Sequence, residues 1–208
     1  MKKKKNPASE APRLAWHVAF LQAIQLELYN YRDVLEFKYE HQLTVEPLRI
    51  DLLIIKKPER LAIDKNIAQI FLTDNLLEYK SPDDYLSVND FLKVYALAHL
   101  YAAITSGVEL SGITITLIGN RYPRKLLHYL VKTRGYKAEE KAQGIYQITG
   151  DYLPIQIIET KKLAESENRW LKSLTNDLEK SSMARGSSLE FVQEVTNLDT
   201  KTIQGLNN

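Results

Sequence analysis

Asp51, Glu78 and Lys80 are the residues of this 208-residue chain whose types and spacing can do chemistry together. Glu78 and Lys80 stand two apart in NLLEYK, and Asp51 interrupts the earlier apolar run LRIDLLII. Side chains on a strand alternate faces, so Glu78 and Lys80 project to one side while Leu77 and Tyr79 face the other. If the two runs pair as neighbouring strands, two carboxylates and an ammonium meet beside a sheet. Burying any one of them unpaired costs on the order of several kcal/mol. A hard divalent cation, Mg²⁺ or Mn²⁺, offsets that cost, because such ions prefer oxygen ligands. It also acidifies bound water and neutralises charge on a phosphate. A lysine alongside orients the attacking water and stabilises the transition state electrostatically. The D…E-x-K pattern therefore suits phosphodiester hydrolysis. The competing reading is structural: Asp51 pairs with Lys80, and Glu78 with Arg49.

The elements that must position these groups are legible from periodicity. Leu14, Val18, Leu21, Ile24 and Leu28 recur at helical spacing, with Glu27 at the edge of that stripe. VLEFKYEHQL reads as a half-buried strand and LRIDLLII as a central one. Residues 61–72 suggest a short helix, and residues 75–80 a strand closed by Ser81-Pro82. S-V-N-D from Ser87 is a capping-box signature with Asp in place of Glu, followed by an apolar-striped helix that holds Phe91 and Tyr95. Ile113 to Gly119 is another strand, and 123–133 a helix. A hairpin over 136–148, a final strand over 154–159 and a helix over 165–180 follow. The order predicts a mixed α/β domain, a central sheet flanked by helices. Residues 1–12 are expected to be a disordered basic start, 13–160 the α/β domain, and 161–208 a helical extension. The Trp170 helix in that extension is read as a packing element, with a homodimer contact as the alternative.

RID ending at Asp51 and EYK from Glu78, each in an apolar strand with a helix after the second, resemble the PD-(D/E)XK nuclease superfamily. LLEYKSP followed by a helix containing Tyr95 looks closest to its branch of recombination-promoting nucleases and transposase-related proteins. The resemblance spans roughly residues 16–118. It implies a restriction-endonuclease-like core and a metal-dependent DNA endonuclease. Asp51 and Glu78 would be metal ligands and Lys80 the catalytic lysine. Glu27 would be the acidic residue that the family often carries in its first helix. Two features depart from the pattern. Arg49-Ile50 precedes Asp51 where the named motif has proline. The glutamine often found in the following helix has no clear match, Asn89 and Lys93 being the polar residues there.

Between residues 120 and 138 lie Arg121, Arg124, Lys125, Lys132, Arg134 and Lys137, with no acidic residue. Such a cluster can neutralise phosphates and give salt-sensitive DNA binding. A solvated helix face is the alternative. Net charge is only +2, so any basic surface has to come from this local clustering. His17, His41, His99 and His128 are scattered without ligand spacing and read as structural or surface residues. Asp83 and Asp84 read as turn residues. The chain has no cysteine, which excludes thiolate metal sites and cysteine nucleophiles and fits a reducing, cytoplasmic setting. Four lysines near the start are not followed by the apolar segment of a secretory signal, and no stretch suggests a membrane span. Walker A, G-x-S-x-G and G-x-G-x-x-G motifs are absent. The rival to a nuclease is a catalytically inactive module of the same fold that binds nucleic acid or a protein partner. A third reading is a structural subunit assembled through the C-terminal helix.

Overall fold

In a computed structural model, which describes residues 16–39, 49–57 and 62–174, seven strands form one mixed sheet. The strands are β1 (Leu35–Tyr39), β2 (Leu52–Lys56), β3 (Asp74–Tyr79), β4 (Ile113–Gly119), β5 (Lys137–Ala142), β6 (Ile145–Thr149) and β7 (Ile155–Glu159). Their spatial order is β1-β2-β3-β4-β7-β6-β5. The first three form an antiparallel meander, β3, β4 and β7 run parallel, and β6 and β5 return antiparallel. β4 and β3 are wholly buried, and they carry Thr114, Thr116, Asp74, Asn75 and Glu78 into the interior with their apolar residues. β5 is the opposite: its sequence KAEEKA is charged and exposed, which suits an edge that must not recruit another strand.

Helices α1 (Trp16–Glu27) and α4 (Glu165–Lys172) cover one face. Phe20, Ile24, Leu52, Ile54, Leu77, Tyr79, Ile118, Leu171 and Leu174 share the core of that face. Helices α2 (Val88–Ile104) and α3 (Arg124–His128) cover the other, over Leu53, Leu76, Ile115, Leu117 and Ile157. Alternation along each strand sorts these residues between the layers. The expected boundary at residue 160 falls inside the first layer, since Leu163, Leu171 and Leu174 are buried there. The basic start, His41 and the extension beyond residue 174 lie outside the described residues.

One expected element differs. Where a helix over 61–72 is expected, the described residues 62–72 hold a single 3-10 turn, Asn66–Ala68, in an irregular segment. Buried side chains take the hydrogen bonds that a helix would have made itself. Asn75 accepts from the Leu72 N–H at 2.9 Å and donates to the Leu72 and Ile54 carbonyls, each at 3.0 Å. Gln156 donates to the Ile67 carbonyl at 2.7 Å. With its backbone satisfied in this way, the segment buries Ile67, Ala68 and Phe71 without a helical period. The 123–133 helix is present as α3, running into a π-helical turn over Tyr129–Thr133.

Candidate active site

β3 ends at the centre of the sheet, and Glu78 sits at that end. Its side chain is only 2% exposed. On the same side of the strand, Leu76 points into the α2 layer, which fixes Glu78 and Lys80 on that side. The S-V-N-D signature starts α2 as expected. Ser87 Oγ accepts from the Asp90 N–H at 3.2 Å, and the Asp90 carboxylate accepts from the Ser87 N–H at 2.9 Å. This box sets the first turn of α2 beside the end of β3, and it does more than cap. Asp90 Oδ1 lies 2.9 Å from Lys80 Nζ. One turn on, Lys93 Nζ lies 2.5 Å from Glu78 Oε1. Lys80 Nζ is 3.6 Å from that same oxygen.

Asp51 occupies a bend just before β2. The β2–β3 ladder ends with Leu52 opposite Leu77, so one further step brings Asp51 level with Glu78. At that step a side chain replaces the backbone: Asp51 Oδ2 accepts from the Tyr79 N–H at 2.8 Å. Its other oxygen lies 3.8 Å from His17 Nδ1. The structure thus brings Asp51, Glu78 and Lys80 to one sheet end. It adds Asp90, Lys93 and His17, to which the sequence reading gave no part in the site. Asp90 had a signal, because it falls seven residues before the buried Leu97 on the core side of its helix.

Electrostatics single out Glu78. Burial pushes its carboxyl above the usual range, and the Asp51 charge adds to this, against the opposing pull of Lys93 and Lys80. Oε2 of Glu78 is buried and makes no hydrogen bond. A buried carboxylate oxygen without a donor is the atom a cation would satisfy. For Lys80, burial works against the ammonium, but the hydrogen bond and charge of Asp90, with Glu78 and Asp51 behind it, raise its pKa. Lys80 is therefore a charged group at neutral pH.

Glu27 is employed elsewhere. Its Oε1 accepts from the Trp170 N–H at 2.6 Å and the Leu171 N–H at 3.3 Å, and its other oxygen pairs with Lys65. α4 departs from helical geometry at Asn168, so Glu27 caps the turn that restarts after the break. Among the described residues no group of three or more His, Asp or Glu side chains is arranged to hold a metal. Asp51 and Glu78 are near enough for the Asp51 charge to act on Glu78, and a cation held by both would take its remaining ligands from water or substrate oxygens. That is the usual way Mg²⁺ is held.

The basic cluster divides. Arg121, Arg124, Lys125 and Lys132 are exposed. Arg134 is folded inward: its guanidinium donates to Tyr136 Oη at 2.9 and 3.1 Å, lies 3.8 Å from Asp151, and faces the Phe91 and Tyr95 rings. Arg134 is a packing residue. Asp84 serves the expected turn, accepting from Ser81 Oγ at 3.0 Å. Among the described residues a cleft of about 590 Å³ also exists, lined by Lys56, Lys57, Asp74 and Glu109. Asp74 begins β3 and Glu78 lies near its other end, so this cleft is separate from the carboxylates. No helix of the described residues is long and apolar enough to cross a membrane. Comparison with protein-family models, with curated proteins and with solved structures finds no match.

Proposed function

We propose that the chain is a metal-dependent endonuclease that hydrolyses DNA phosphodiester bonds at the Asp51–Glu78–Lys80 cluster. The observation that carries this reading is the unpartnered, buried Oε2 of Glu78 beside Asp51, with an ammonium held on the same side. The antiparallel β1-β2-β3 meander, with α1 before it and α2 and parallel β4 after it, supports a restriction-endonuclease-like core. That order agrees with the PD-(D/E)XK resemblance.

In this reading Asp51 and Glu78 hold Mg²⁺ or Mn²⁺. The cation, when bound, neutralises the scissile phosphate and acidifies a water. Asp51 is fixed for the task by the Tyr79 N–H, which leaves Oδ1 at the open side toward His17. Lys80, kept protonated and anchored by Asp90, orients the attacking water and offsets the charge that develops on the phosphoryl oxygens. Arg121, Arg124 and Lys125, exposed after β4, neutralise neighbouring phosphates. Lys93, on Glu78 Oε1, balances the carboxylate until a cation arrives.

The same Lys93 contact favours a second reading. Two ammonium groups already compensate Glu78, so the cluster can stand as a structural ion network in a non-catalytic DNA-binding module. Cleavage of supercoiled plasmid separates the two. With Mg²⁺ or Mn²⁺, wild type nicks the plasmid and Lys80→Ala does not. Equal cleavage by both proteins removes Lys80 from the mechanism, and no cleavage by wild type selects the binding module.

A further inference from the structure

The end of the sheet that carries Glu78 also carries aromatic rings that the hydrolytic chemistry does not use. Tyr85, in the loop from β3 to α2, is 63% exposed. Tyr122, in the loop from β4 to α3, is 50% exposed. Both loops leave the C-terminal ends of adjacent parallel strands, the edge at which open α/β sheets collect their ligands. Neither ring hangs free. The Arg121 guanidinium lies over Tyr85, 4.8 Å from the ring centre, and also donates to its hydroxyl. Tyr122 stands edge-on against buried Tyr146, with ring centres 5.4 Å apart. The loops are locked together at their base, where a Cβ on Gly119 would come within 3.0 Å of Leu86 Cδ1. The rings are thus held in place with much of their apolar surface in water.

We infer that Tyr85 and Tyr122, with Arg121 between them, form a stacking platform for unpaired bases, so that the substrate is single-stranded DNA or an unpaired segment of a duplex. This rests on the nuclease reading for what happens at Glu78, but the binding itself does not. In a duplex the faces of the bases are already stacked on one another and only their edges are offered. Exposed rings gain from a strand whose bases are free to lie on them, and they do so without regard to sequence. Arg121 contributes both a cationic stack on a ring and a charge for phosphate. Arg124 and Lys125 follow directly in the exposed first turn of α3, where they can track the backbone of the same strand. Three such cations imply a modest salt dependence, a slope of about −2 in log K against log salt at roughly −0.7 per phosphate.

The test is fluorescence anisotropy of a labelled twelve-nucleotide oligo-dT and of a duplex of equal length, in EDTA, with the full chain carrying Lys80→Ala. The platform predicts that the single strand binds at least tenfold tighter than the duplex. Tyr85→Ala and Tyr122→Ala each weaken single-strand binding by about five- to hundredfold. Phe at either position restores it, because the ring is kept. Equal affinity for duplex, no effect of the alanines, or Phe variants as weak as Ala would each overturn the platform. Failure of the nuclease reading looks different: single-strand preference persists in EDTA while wild type cleaves nothing with Mg²⁺ or Mn²⁺.

Discussion

Lys80 is tied to α2 through Asp90: the ammonium lies 2.9 Å from Asp90 Oδ1, while Oδ2 of the same carboxylate closes the capping box with Ser87. One side chain thus fixes both the start of a helix and the position of the proposed catalytic amine. Asp90→Asn separates the two duties, since the amide oxygen still accepts from the Ser87 N–H but the negative charge beside Lys80 is lost. Thermal stability is expected to fall by no more than about 1 kcal/mol. Lys80 loses the partner that most raises its pKa, so the alkaline limb of the cleavage–pH profile moves to lower pH. A profile that does not move assigns Asp90 to helix capping alone.

Glu78 gives a prediction for stability that needs no substrate. Its folded-state pKa is raised, chiefly by burial and next by Asp51. The native state therefore holds this proton more tightly than the unfolded chain does. Its contribution to stability is greatest below the ordinary carboxylate range and is lost as pH rises through the raised value. Glu78→Gln removes that penalty. The variant is expected to be more stable than wild type near neutral pH, by on the order of 1 kcal/mol, and the difference closes in acid. Urea unfolding of both proteins across that range measures it. A destabilised Gln variant at neutral pH would mean that Lys93 and Lys80 outweigh burial.

Glu27 is expected to behave as a structural residue. Glu27→Ala leaves two N–H groups without their acceptor and takes the carboxylate from Lys65, which keeps the Glu167 carbonyl, at a cost of about 3 kcal/mol. It should lower the melting temperature and leave Mn²⁺ binding unchanged wherever the protein is folded. Isothermal titration with Mn²⁺ below the new melting point checks both parts. Loss of the ion with the fold intact would return Glu27 to the site.

Arg134 and Arg124 are neighbours in the same basic cluster of the sequence and should respond differently. Arg134→Ala empties the space between Phe91, Tyr95 and Tyr136 and takes the cation from Asp151, so it acts on stability by about 1–3 kcal/mol. Charge reversal at the exposed Arg124 leaves the melting temperature alone and weakens DNA binding, with a smaller salt slope. Melting curves and salt-dependent anisotropy on the two variants decide the matter.

The differing fates of these arginines show where the sequence runs out. A run of cations reports charge, not direction, and Arg134 turns inward onto Tyr136, Asp151 and the Phe91 and Tyr95 rings, most of them far from it in sequence. Period and turn chemistry are local, so the alternation through Leu76, Leu77, Glu78 and Tyr79 and the Ser87 box were readable directly. The missing 61–72 helix was not readable, because its replacement hydrogen bonds come from Asn75 and Gln156 on other elements. The site follows the same division. Glu78 and Lys80 share a strand face by local geometry, and Asp51 joins them through a strand pairing that the sequence could only suppose. The part played by Lys93 depends on how α2 is rotated over β3.

Whether Asp51 and Glu78 share one divalent cation decides between the hydrolase and the binding module. Crystals soaked in Mn²⁺ and measured for anomalous scattering test it most directly. A peak is expected between the Asp51 and Glu78 carboxylates, with Glu78 Oε2 as one ligand, and it is expected to vanish in Glu78→Gln. A fully occupied lattice soak with no peak there, and with Lys93 still bonded to Glu78, would contradict it.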